Sequence, residues 1–452
     1  MARLSELQSG FLKLETPAQL LHVCYVAELD PATITGGYSF AAFQPALGSY
    51  IRAIPGARSK VFDSLFNLDT PVLADDDNFD IDRHCHRITV PAPGEPEQLS
   101  EAIAHIAGQP LDRSRALWEA WVIEGSSSGH IVLLMKIHLT VLSGDPDLNI
   151  FGRLCSATAD AELPEPVVRE QHPNPLGLAL GGLFGASQRP VRALGEFALS
   201  IPQIPGQLIG SVRRRSVPLT PFNRTITGRR NVAYLQLGLK EVDVITNAFG
   251  VRVNDVIITL VARALRMYLE DRGELPSKAL GALETVAIRN KKKNAKIRLQ
   301  EAVTTLHSEI DDPIEQLSAT VAAHESSIPL TAVPAGELRT AEPFTSPGYV
   351  ADAMRAYTQL RLGGSRGSYN LLVANVPGPQ QPMYLLGARM VGYYALGPVL
   401  QGAGLTITVT SLEDKLNVAL IASAELVPDL WSLADAFSDA LDELAAAADA
   451  TP

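Results

Sequence analysis

The stretch from Ile131 to Gly144 reads IVLLMKIHLTVLSG. From Ile131 to His138 it is almost unbroken apolar sequence, which predicts a strand buried on both faces. The strand runs out at His138 into a loop, and a histidine carried by a rigid strand to the mouth of a loop is well placed for chemistry. The plainer reading, a structural histidine at a strand end, is also the commoner one. Upstream, Leu117 to Glu124 reads as a second strand, and the Ser/Gly turn between the two makes a hairpin that delivers His138. Downstream, the chain passes Ser143-Gly144-Asp145-Pro146 and resumes apolar spacing at Leu148, Phe151 and Leu154, so Val141 to Leu154 reads as loop then helix.

The chain of 452 residues is long for one core, and a prior of about 150 residues per domain predicts more than one. Hydrophobic residues make up 46% and charged residues 19%, yet the uncharged apolar stretches fall short of the roughly 18 residues needed to cross a bilayer. The charged N-terminus MARLSELQSGFLKLE lacks the apolar centre of a signal peptide, so a cytoplasmic location is expected. Cys24, Cys85 and Cys155 fit neither a disulfide framework nor a zinc site by number and spacing. A net charge of −11 argues against nucleic acid as the main partner. In FDIDRHCHRITVPAP, His84 and His86 stand two apart, which on a strand shares one face, but no third metal ligand is placed beside them.

The N-terminal part, residues 1–162, continues with a strand over Leu20 to Val26, a helix over Pro31 to Ile54 and another over Glu97 to Gly108. Residues 163–228 form a Pro/Gly/Arg-rich linker and crossover. From Gln188 to Arg230 it holds eight Arg against one acidic residue, Glu196. Such a segment either packs as a crossover with solvated arginines or lies against an anionic membrane or lipid inclusion. Residues 229–452 open with a strand over Asn231 to Leu237 and a helix over Lys240 to Phe249 that Gly250 closes. A long helix follows in VRVNDVIITLVARALRMYLEDRG, capped at Asn254 or Asp255. Capping accounts for one of that pair and leaves the other free for a site. Further elements are strands at Thr285 to Ile288 and Tyr369 to Val376, helices at Ile314 to Ala323 and Tyr349 to Leu362, and a hairpin over 405–423. A final helix after Pro428-Asp429 buries Leu430, Leu433, Phe437, Leu441 and Leu444. Both halves mix strands with helices, which predicts an α/β (α+β) protein of two similar subdomains.

Long stretches in a fixed order carry a resemblance. LKLETPAQLLHV, FDIDRHCHRITVPAPG, LDRSRALWEAWVIEG leading into LLMKIH, TPFNRTITGRRNVAYLQL, VRVNDVIITLVARALRMYLEDRGELP, NVPGPQQPMYLLGARM and VPDLWSLADAF together resemble the bacterial wax ester synthase / diacylglycerol acyltransferase family over nearly the whole chain. The resemblance implies two chloramphenicol-acetyltransferase-like subdomains with a tunnel at their interface. It also implies acyl-CoA as co-substrate with no bound cofactor or metal, and diacylglycerol or a long-chain alcohol as acceptor. It makes Asn254, Asp255, Asn375 and Gly404 candidates for binding substrate or shaping the site.

The departure lies in the opening stretch. In this family the strand ends with two histidines, three variable residues and Asp-Gly. Here His138 and Gly144 remain, Leu139 stands where the family keeps its catalytic histidine, and Ser143 stands in place of the aspartate. A second departure follows Arg289, where NKKKNAKIRLQ replaces a usual Gly-Asn stretch. Acyl transfer from a thioester to a hydroxyl requires removal of the hydroxyl proton, a task suited to a neutral histidine and worth about 10² to 10⁴ in rate. Leucine cannot accept a proton, and adjacent strand residues point to opposite faces, so His138 is not expected to substitute. Two functions follow as expectations: a weak or inactive acyltransferase, or a non-catalytic paralogue that binds acyl-CoA or lipid.

Overall fold

The computed structural model describes residues 2–62, 71–142, 150–160, 217–289, 297–327, 369–376 and 378–450. Most of the linker, the helix expected over Tyr349 to Leu362, the basic run after Arg289, and both Ser143 and Gly144 lie outside them. Strands and helices are numbered separately below, in chain order.

A small sheet pairs β1 (Ala2–Arg3), β4 (Val72–Asp75) and β3 (Ser59–Phe62). The first large sheet has the order β5 (Cys85–Thr89), β6 (Trp118–Glu124), β7 (Ile131–His138), β2 (His22–Asp30), β14 (Ala388–Leu396), β13 (Tyr384–Leu385), β8 (Cys155–Ser156). The second has the order β11 (Ile297–Thr305), β10 (Gly281–Arg289), β12 (Leu371–Val376), β15 (Leu405–Leu412), β16 (Lys415–Ser423), β9 (Arg230–Gly238). Strands β6 and β7 form the expected hairpin, and all eight residues of β7 are buried, as its apolar run requires.

Helices α1 (Glu6–Leu14), α2 (Phe40–Ala53), α3 (Pro96–Ala107), α4 (Leu139–Leu142) and α5 (Ile150–Leu154) accompany the first sheet. The second carries α6 (Leu239–Phe249), α7 (Val253–Asp271), α8 (Pro313–Ser327) and α9 (Leu430–Asp449). Gly250 closes α6 with φ +65, a left-handed turn that glycine adopts without strain. Asp429 caps α9 by accepting the N–H of Ser432, and the five predicted apolar residues of α9 are buried. At α7 the cap differs from expectation. Arg252 is the N-cap residue, and Asp255, three residues on, reaches back to accept its N–H. The helix expected over Pro31 to Ile54 begins instead as a single tight turn at Pro31–Thr33, and α2 starts at Phe40 behind a Ser39 cap.

The two halves are not separable along the chain. Strand β14, late in the sequence, pairs antiparallel with β2 from Arg389↔Asp30 to Leu396↔Cys24 and so completes the first sheet. Tyr25 of β2, Phe151 of α5 and Tyr393 of β14 stack with centroid distances of 5.1 Å for Tyr25–Phe151 and 5.3 Å for Phe151–Tyr393. These rings belong to an apolar core that also takes in Leu283 of β10, Leu372 and Ala374 of β12, and Leu412 of β15. One core therefore joins the two sheets. The other face of the second sheet packs on α6, α7 and α9 as a separate core.

Candidate functional site

His138 and Leu139 diverge at the end of β7. Leu139 is fully buried in the core that joins the halves. Its backbone N–H donates to Leu21 at 2.9 Å, and α4, which it opens, is clamped to α1 by two bonds: Gln8 Nε2 to the Thr140 carbonyl (2.9 Å) and Thr140 Oγ1 to the Gln8 carbonyl (3.0 Å). A side chain at position 139 is thereby aimed into the core that joins the halves.

His138, 1% exposed, points to the other face of the sheet. Its Nδ1 accepts the backbone N–H of Thr140 at 3.1 Å, and its Nε2 faces Glu15 Oε1 at 3.4 Å. Burial raises the Glu15 carboxyl, but the His138 ring, Arg113 at 2.6 Å and the Leu21 N–H outweigh it and hold the group at about 2. Across the ladder from His138 lies His22, whose Nε2 donates to the Ala107 carbonyl at 2.9 Å. Burial, together with the charge of Lys136, pushes His22 down to about 3. Lys136, buried beside them, binds Glu119 at 3.0 Å and the carbonyls of Ile106 and Gln109 at the end of α3. This cluster locks β2, β7 and α3 together. Within it His138 Nδ1 accepts the Thr140 N–H, while Nε2 faces Glu15 at 3.4 Å without a hydrogen-bond partner among the described residues.

A second polar cluster, on the helix-covered side of the other sheet, unites Asn254, Asp255 and Asn375 with residues that the sequence reading did not single out. His324 of α8, fully buried, sits between two carboxylates: Nδ1 is 2.6 Å from Asp255 Oδ1, and Nε2 is 3.4 Å from Glu284 Oε2. Burial lowers the His324 ring, but hydrogen bonds to both carboxylates prevail and carry it up to about 9, so it is an imidazolium at neutral pH. Burial likewise opposes the charge on Asp255 and Glu284, yet His324 and their other donors pull both below the usual carboxylate range. Arg252 completes the balance through two bonds to Asp255, Nε to Oδ2 at 3.0 Å and Nη2 to Oδ1 at 3.1 Å. Thr304 Oγ1 donates to Glu284 Oε2 (2.6 Å), Asn254 Nδ2 to Glu284 Oε1 (3.0 Å) and Asn375 Nδ2 to Asn254 Oδ1 (2.8 Å). The signal that could have found this cluster is Glu284 itself, an acidic residue inside the apolar strand LGALETVAI.

Gly404 is not part of either cluster. Its N–H donates to the Phe222 carbonyl at 2.7 Å, and a Cβ there would stand 2.5 Å from Leu426 Cδ1, so close packing accounts for the glycine. The His84 and His86 rings lie against the indoles of Trp118 and Trp121, with centroids at 4.7 and 4.5 Å. Among the described residues no group of three or more His, Cys, Asp or Glu side chains is arranged to hold a metal ion, and no single helix is long and apolar enough to cross a membrane.

In fold the chain is similar to wax ester synthase/diacylglycerol acyltransferase and condensation-domain structures. It superimposes on a wax ester synthase/diacylglycerol acyltransferase from Marinobacter aquaeolei VT8 with a TM-score of 0.72 at 24% identity, over 99% of this chain and 100% of that one. A starter condensation domain of rhizomide synthetase, solved in complex with C8-CoA, matches with a TM-score of 0.54 at 15% identity over 98% of this chain and 95% of that one. The chain belongs to the wax ester synthase/diacylglycerol acyltransferase family: the catalytic-domain model of that family matches residues 4–257 and the C-terminal-domain model residues 301–445. A Mycobacterium tuberculosis relative named for diacylglycerol O-acyltransferase activity is 39% identical over 100% of this chain and 92% of its own length. The O-acyltransferase WSD of Acinetobacter baylyi is 26% identical over 79% of this chain and 80% of its own.

Proposed function

We propose that this chain takes acyl-CoA at the joint between its two halves, and transfers the acyl group to diacylglycerol or a long-chain alcohol weakly or not at all. In the second case it is an acyl-CoA- or lipid-binding paralogue of the active enzymes. Family membership supports the substrate class, as do the names of the relatives and the C8-CoA held by the condensation-domain neighbour. The observation that carries the weak or absent turnover is Leu139, a buried aliphatic side chain where the family's base belongs, beside a His138 that points to the other face of the sheet.

An alcohol attacks a thioester carbonyl only as its proton leaves, and no group at position 139 can take that proton. What remains is approximation of the two substrates. Acyl-CoA acts here as co-substrate, with no bound cofactor implied. The Arg-rich linker of residues 163–228 is the segment that would bring the protein to a membrane or lipid inclusion.

Calorimetric titration of the purified protein with an acyl-CoA tests the binding half of this reading. Failure to bind removes both the enzyme and the lipid-binding forms of it. Ester formation from labelled acyl-CoA tests the catalytic half.

A further inference from the structure

Away from Leu139, a second seam joins the halves. Ile103 and Ala104 of α3 share a core with Val232 and Tyr234 of β9, and a cavity of about 620 Å³ lies between α3, the start of β9 and the start of α9. Ligand pockets favour such junctions and fall in this range of size. Trp431 Nε1 of α9 donates to Ser100 Oγ of α3 at 3.1 Å, so two residues of the lining tie the helices together.

The charges of this cavity are divided between its elements. Arg229 and Arg230 come from the start of β9. Arg230 is only 7% exposed, and its guanidinium donates to neutral carbonyls alone: Nη1 to Thr227 and to Arg229 (3.1 Å), Nη2 to Ala18 (2.7 Å). The carboxylate that acts on it, Glu425, is taken by Thr227 Oγ1 and lies 3.7 Å from Arg229. Buried charges are ordinarily paired, so Arg230 leaves an unbalanced positive charge here. Glu97 and Glu101 come from α3, one turn apart and exposed, and neither has an ion pair among the described residues. The third carboxylate of the lining, Asp429, is spent on the Ser432 N–H and on Arg272. Trp431 has its N–H engaged by Ser100, so its ring is what it offers the cavity.

A simple anion or cation would meet its own sign on one side of this lining. A small molecule carrying both signs meets a partner on each. Guanidinium groups suit phosphate, and an ammonium is held by carboxylates and by the face of an indole. We infer that the cavity binds a ligand with a phosphate and an ammonium on one short chain, of the phosphocholine type, the phosphate on Arg229 and Arg230 and the ammonium among Glu97, Glu101 and Trp431. The site is separate from the acyl-CoA reading above and does not rest on it. Its ligand has two sources: soluble phosphocholine, or the headgroup of a phospholipid.

The test is calorimetry on the full chain with phosphocholine, monomeric dihexanoylphosphatidylcholine, inorganic phosphate and choline. Phosphocholine or the lipid should bind at least about tenfold tighter than phosphate or choline alone. The tighter of the first two identifies the source. Arg229→Gln and Glu101→Gln alter exposed side chains, and each should weaken that ligand about tenfold, Arg229→Gln weakening phosphate as well and Glu101→Gln weakening choline. Should Glu101→Gln not fold, Glu97→Gln tests the same side of the cavity. Phosphate binding as tightly as phosphocholine and the lipid overturns the inference and leaves an anion site only. Absence of binding by both phosphocholine and the lipid overturns it, as does binding that neither variant changes.

Discussion

The backbone N–H of Leu139 donates to the carbonyl of Leu21 at 2.9 Å, one residue beyond the last residue of β7. The pairing with β2 thus outlasts the strand itself, and it fixes the Cα–Cβ direction of residue 139 toward the core that joins the halves. A histidine placed there would inherit that direction. The double variant Leu139→His with Ser143→Asp is expected to raise ester formation from acyl-CoA above that of the unmodified protein, toward the 10² to 10⁴ that a positioned base supplies. Its folding stability should drop by about 1–3 kcal/mol, because the imidazole replaces an apolar side chain in a core that offers it no evident partner. Urea titration and a labelled-ester assay on one preparation measure both.

His138, by contrast, points into the polar cluster on the other face of the sheet. Replacing it by alanine removes the acceptor of the Thr140 N–H and the ring that faces Glu15, leaving that carboxylate to Arg113 and the Leu21 N–H. The expected loss is about 1–3 kcal/mol of stability. Acyl-CoA affinity per folded molecule should be unchanged. A large fall in affinity with unchanged stability would contradict the assignment.

The two clusters give opposite responses to pH. His324 is raised to about 9 in the folded chain, so its contribution is fully present below its unfolded value near 6.5 and is lost as pH rises through 9. His22 and Glu15 are lowered to about 3 and about 2, so theirs are present above the unfolded values of 6.5 and 4.5 and are lost as pH falls. Stability from these groups should peak near pH 6.5, as measured by thermal unfolding across pH 4 to 10. His324→Gln should flatten the alkaline limb, and His22→Gln the upper part of the acid limb.

Gly378 follows β12 and lies against β15. Its N–H donates to Ser411 Oγ at 2.8 Å, and a Cβ on it would stand 1.9 Å from the Ser411 carbonyl oxygen, a backbone atom that cannot swing aside. Gly378→Ala should therefore destabilise the chain by about 1–3 kcal/mol or more. Denaturant unfolding measures the loss.

Much of this was legible in the sequence because it is encoded locally. The apolar run of β7, the Ser/Gly turn before it, the stripe of α7 and the Pro428-Asp429 start of α9 are all read from neighbours a few residues apart. The insertion of β14 beside β2 was not, since nothing in ARMVGYYAL names a partner more than three hundred residues away. The polar cluster failed for the same reason. Asp255 was visible as a candidate, but His324 is 69 residues away and Glu284 lies in another strand, so only the folded sheet brings them together. Gly404, another candidate, lies outside both clusters, against Leu426 and the Phe222 carbonyl.

The most direct test of the account is the unmodified protein incubated with labelled oleoyl-CoA and either diolein or hexadecanol. With Leu139 at the position of the base, little or no labelled triacylglycerol or wax ester should form while oleoyl-CoA still binds. Robust turnover by the unmodified chain would contradict that claim and require a proton acceptor other than the residue at position 139.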